Sequence, residues 1–86
     1  MAKYQCYNDP AHGWLKVALR ELRKLGIENQ VSNYSYVRGE FAYLEEDCDA
    51  SLFLRAKKFI GEDVEIVDNY SNKMSKIRSY MPYSVL

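Results

Sequence analysis

Eighty-six residues carry twelve Lys and Arg against twelve Asp and Glu, a formal net charge of zero. That balance excludes a whole-molecule field that would gather nucleic acid or an anionic membrane, and apolar runs of only a few residues exclude a transmembrane helix. With 48% hydrophobic and 28% charged residues, the chain reads as one globular domain over residues 1–86, burying about 60–65% of its unfolded surface. Tyrosine is the anomaly: eight are present, joined by Trp14 and three Phe. Tyrosine pairs an apolar ring with a polar tip, which suits sheet faces and binding surfaces alike.

Lys3–Tyr7 is predicted as a first strand. Asn8-Asp9-Pro10 is turn chemistry, since Asx side chains bond forward to the backbone and Pro presets φ. His12-Gly13 continues that loop, and Trp14–Val17 returns as a second, antiparallel strand. Ala18–Leu25 is helical, with Leu19, Leu22 and Leu25 on one face and Arg20, Glu21, Arg23 and Lys24 toward water. Gly26 is placed to end it in the left-handed conformation. Ile27–Ser32 is a connector that dips Ile27 and Val31 into the core.

Asn33–Asp49 then reads as strand, tight turn, strand and acidic helix start. Gly39 supplies the positive φ that a tight hairpin turn needs. Alternation puts Tyr34, Tyr36, Phe41 and Tyr43 on aromatic faces, with Val37, Ala42 and Leu44 opposite. One face covers the core; alternation alone does not say which. Asp47 or Asp49 is expected to cap a second helix, Ala50–Ile60, whose apolar stripe is Leu52, Phe53, Ala56, Phe59 and Ile60 and whose wet side is Arg55, Lys57 and Lys58. Gly61 ends it, and Val64–Val67 is a β-branched final strand. From about residue 70 the chain reads as an irregular tail, pinned by Ile77, Tyr80 and Val85. The expected class is α+β, in ββαββαβ order, with two helices packed on one face of an antiparallel or mixed sheet.

Four carboxylates crowd Glu45-Glu46-Asp47-Cys48-Asp49. The run lacks the spacing and glycine of a calcium loop, and carboxylates are intrinsically favoured at a helix start, so no metal site and no cofactor is expected. Cys6 and Cys48 are too few and too far apart for a secreted disulfide framework. With no leader-like stretch before the first strand, they read as buried thiols of a cytoplasmic protein. One histidine and two cysteines also lack zinc-motif spacing. An enzyme would need Cys48, His12 and a carboxylate to converge, and none is expected. Binding is the stronger reading: Tyr34, Tyr36, Arg38, Tyr43, Glu45, Glu46 and Asp47 form the candidate partner surface. Lys73, Lys76 and Arg78, with Tyr70 and Tyr80, are the alternative, a short basic-aromatic segment suited to nucleic acid. An unpaired sheet edge would also permit a homodimer.

The strings Cys6–Val17 (CYNDPAHGWLKV), Tyr34–Gly39 (YSYVRG), Tyr43–Asp49 (YLEEDCD) and Ile77–Tyr80 (IRSY) resemble a family of small proteins carried by bacteriophages and other mobile elements. That family often has Pro at the start of the first helix, where this chain has Ala18, a departure that bears only on the helix boundary. The resemblance implies no catalytic residues. It implies a context in which accessory proteins bind and disable host machinery, CRISPR and restriction systems included, in the host-cell cytoplasm. The expected function is therefore a non-enzymatic inhibitor of a host protein, with a nucleic-acid-binding accessory domain as the alternative.

Overall fold

The computed structural model describes residues 2–84, so the anchor expected at Val85 lies outside the described residues. Its elements are β1 (Ala2–Asn8), β2 (Gly13–Ala18), α1 (Leu19–Leu25), β3 (Tyr36–Arg38), β4 (Phe41–Glu45), α2 (Asp49–Phe59), β5 (Val64–Tyr70) and β6 (Met81–Pro82). The six strands form one mixed sheet in the order β5-β1-β2-β4-β3-β6, so the α+β class and the ββαββαβ order hold, extended by β6. Among the described residues only β1 and β5 pair in parallel; every other neighbouring pair is antiparallel. A parallel return requires a crossover, and α2 is that crossover: it leaves β4 and delivers β5 to the far edge of the sheet. Glu65 and Asp68 on edge strand β5 are exposed charges of the kind that discourage edge-to-edge pairing.

Both helices lie on one face. Leu22, Ala50 and Phe53 pack there with Tyr4, Leu15, Val17, Ala42 and Leu44, and Leu15, Val17, Leu22, Leu44 and Phe53 are all under 3% exposed. Gly26 adopts φ +72°, and the amides of Gly26 and Ile27 return to helix carbonyls, so Ile27 enters the core as its sequence position suggests. Gly39 takes φ +60° while Glu40 does not turn positive, the two-residue pattern with glycine leading.

The hairpin question is answered by register. Tyr36 sits opposite Tyr43, and Val37 opposite Ala42. The aliphatic side of the hairpin therefore faces the helices, and the aromatic side faces away. That second side is not bare. The segment after Tyr70, expected to be irregular, forms a 3-10 turn over Lys76–Ser79 and then pairs β6 against β3. It lays Ile77 and Tyr80 on Trp14, Tyr43, Tyr7 and Tyr36, making a second, smaller core.

Several local expectations change. The first hairpin strand starts at Tyr36, not Asn33, because Ser32 and Ser35 both spend their hydroxyls on the Asp49 carboxylate and bend the chain there. Neither Asp47 nor Asp49 caps α2; Asp49, buried at its first turn, instead accepts the Ser32 amide (3.1 Å). The stripe of α2 meets the sheet at Phe53 but not in its last turn, where Phe59 is 90% exposed and Ile60 half-exposed. Lys57, expected in water, turns inward there to pair with Glu62 (2.8 Å) and Glu21 (3.5 Å). Cys6 is buried but Cys48 is exposed, and both are free thiols. No described helix is long and apolar enough to cross a membrane.

Candidate functional site

One side chain organises the tail-covered face. Asp9, in the β1–β2 loop, accepts the amides of Ala11 (3.0 Å) and His12 (2.9 Å), the Asx turn its sequence predicts. The same carboxylate accepts the Ser75 amide (3.0 Å) and a two-point contact from Arg78, at 2.8 and 3.1 Å. The Arg78 guanidinium holds the Asp9 carboxyl far below the usual carboxylate range. Asp9 thus fixes the His12 loop and clips the tail onto the sheet at once. Held in place, Arg78 lies over the Trp14 ring at 5.2 Å. Trp14 meets Tyr36 edge-on at 6.2 Å and His12 at 6.1 Å, while Tyr80 covers Tyr43 at 5.1 Å.

Trp14 is the register partner of Glu45, the last residue of β4, so the two share this face. The acidic run then turns back. The Glu46 amide bonds the Gly13 carbonyl (2.9 Å) and the Cys48 amide the Glu45 carbonyl (3.2 Å). The bare Gly13 leaves room for the Asn8 side-chain oxygen and the Glu46 carboxylate, which a Cβ there would push aside. The outcome is a cleft of about 340 Å³ walled by His12, Trp14, Tyr34, Tyr36, Glu45, Asp47, Cys48 and Arg78.

Within it Glu45 is only 7% exposed. Its Oε2 accepts the Asp47 amide (2.9 Å). Its Oε1 is buried without a hydrogen bond and lies 3.4 Å from His12 Nδ1. Trp14 Nε1 is likewise buried and unpartnered. His12, Glu45 and Asp47 bring one ligand atom each within 4.8 Å of one another. Desolvation, then contact with Glu45 and the neighbouring Asp49 and Asp47 charges, pushes the pKa of the Cys48 thiol up. Arg78 on the cleft wall is paired with Asp9, which leaves Glu45 and Asp47 as the cleft's carboxylates beside His12, whereas the Glu46 carboxylate lies outside it, next to Gly13 and Asn8. The cleft favours cations.

The expected surface divides accordingly. Tyr34, 68% exposed, stands at the rim, and Tyr36, Glu45 and Asp47 form the walls. Arg38 is elsewhere, over Tyr80 at 5.0 Å. Tyr43 is buried beneath Tyr80 and serves packing, not an exposed contact. In the basic segment Lys73 and Lys76 are exposed, but Arg78 is committed to Asp9. The basic residues of α1 lie on the opposite side of the sheet and cannot extend that patch. Residue spacing concealed Trp14 and the meeting of His12, Cys48 and Glu45, because that meeting depends on β2 pairing with β4. A larger groove of about 750 Å³ between α1 and α2 holds the paired Lys57, Glu21 and Glu62 together with Arg20, Lys24 and the exposed Phe59 and Ile60.

No family model, curated protein or solved structure matches the chain.

Proposed function

We propose that this protein is a non-enzymatic binding protein that captures a host protein through the cleft beside Tyr34 and inhibits it, as a phage or mobile-element accessory protein acting in the host cytoplasm. The observation that carries the reading is Tyr34: a large ring, 68% exposed, at the mouth of a cleft with aromatic and carboxylate walls. An exposed tyrosine next to a pocket is the usual form of an interface anchor. The surplus of carboxylates suits a basic segment of the partner.

The test is affinity capture from host cells with wild type, Tyr34→Ala and Asp47→Lys. Both positions are exposed, so the variants retain the fold, whereas reversing buried Glu45 would not. Truncating an anchor costs about 2 kcal/mol or more, roughly 30-fold in affinity. Capture of the same host partner at wild-type strength by both variants refutes the proposal.

One observation favours a second reading, nucleic-acid binding: Lys76 and Lys16 flank a small pocket with Tyr7, Tyr43 and Tyr80. Retention of DNA or RNA at low salt, lost on neutralising Lys73 and Lys76, would support it in place of the first.

A further inference from the structure

We infer that His12, Glu45 and Asp47 form a binding site for a divalent transition ion of the zinc type. The inference goes beyond partner binding and does not depend on it. Three residues from two separated segments, the β1–β2 loop and the end of β4 with the turn after it, bring an imidazole and two carboxylates within 4.8 Å of one another. The independent sign of a ligand is Glu45. Its side chain is more than nine-tenths buried, yet Oε1 has no hydrogen-bond partner and points at His12 Nδ1. A buried carboxylate oxygen without a hydrogen bond is costly, and a cation held between it and the imidazole would satisfy it.

Distance supports the same reading. Donors about 2.1 Å from a tetrahedral ion stand roughly 3.4 Å apart, and Glu45 Oε1 and His12 Nδ1 are 3.4 Å apart. Asp47 is exposed and His12 partly so, leaving both free to close the remaining gap without disturbing the sheet. Donor chemistry selects the ion. Calcium takes six to eight oxygens, and magnesium prefers oxygen and retained water; an imidazole with two carboxylates matches zinc, with a further position open to water or to the Cys48 thiol on the same wall. Asp9 supports the arrangement by holding the His12 backbone, and the Asp47 amide orients Glu45 through Oε2.

Calorimetric titration of the purified chain with zinc chloride, with magnesium and calcium as controls, tests the site. Wild type is expected to take up one zinc per chain and neither alkaline-earth ion, with a rise in melting temperature. His12→Ala and Asp47→Asn, both at exposed positions, are expected to fold and to lose more affinity than the about 10- to 100-fold typical of removing a supporting partner. Cobalt(II) in place of zinc should give a visible spectrum of a four-coordinate ion in wild type that both variants lack. Absence of saturable one-to-one zinc uptake overturns the assignment, as does uptake that both folded variants keep at wild-type strength.

Discussion

The two faces of this sheet are built from alternate residues of the same strands, yet they are held by different forces. On the helix face, Leu15, Val17, Ala42 and Leu44 meet Leu22 and Phe53 in a dry, mostly aliphatic core. On the other, Trp14, Tyr43 and Ile77 are buried, and Tyr7, Tyr36 and Tyr80 only partly so, under a short turn that a single carboxylate clips down. The first face depends on area removed from water, the second on a polar anchor and ring edges. The contrast teaches where function can reside. The core beneath the helices is dry, whereas an aromatic face closed only at one side leaves a cleft with unpartnered polar atoms.

The largest effects should come from the helix face. Phe53→Ala removes a fully buried ring and is expected to cost about 3–5 kcal/mol in chemical denaturation. Ile77→Ala, in the smaller cluster, should cost about 2 kcal/mol, the low end for such a truncation. Equal losses would break the distinction between the faces.

Asp9→Asn sharpens it. Breaking the clip should speed amide hydrogen exchange across Ser75–Tyr80 while the amides around Phe53 stay protected. In wild type the ionised clip is fully present above the unfolded carboxyl pKa of about 3.9. Its contribution is lost progressively as pH falls below that value toward the depressed folded pKa. The variant should lack this part of the acid sensitivity, and denaturation midpoints measured from pH 5 downward check it.

Lys57→Met should change least. Lys57 is buried on the helix face, and its hydrogen bond to Glu62 raises its pKa. The stability this provides is complete below pH 10 and lost only as pH rises through the folded pKa. Methionine keeps the stem's packing and removes the desolvation cost, so at neutral pH the urea midpoint should move by no more than about 1 kcal/mol equivalent.

Backbone periodicity and turn chemistry are local, and they were legible. Leu19, Leu22 and Leu25 announced α1, Gly26 its end, Gly39 the hairpin turn, and the alternation from Tyr36 to Leu44 a strand pair with unlike faces. The Asp9 turn was also readable, since an Asx side chain bonds only two or three residues ahead. The rest required contacts between distant segments. Nothing near Tyr36 says that the tail covers it, or that β5 crosses to pair with β1. The solvent-facing position assigned to Lys57 and the capping role assigned to Asp49 failed for the same reason: Glu62 and Ser35 claimed them instead.

The candidate site follows the same division. Tyr34, Tyr36, Glu45 and Asp47 could be picked from residue type alone, because tyrosines and carboxylates near a turn suit a surface. His12 and Trp14 could not be joined to them from spacing, since they enter through the pairing of β2 with β4. Chain order and chemistry thus determined the two-sided hairpin. Tertiary structure decided that its aromatic side looks away from the helices and that one corner of it stays open, because only the folded chain sets which strands are neighbours and how far the tail reaches across them.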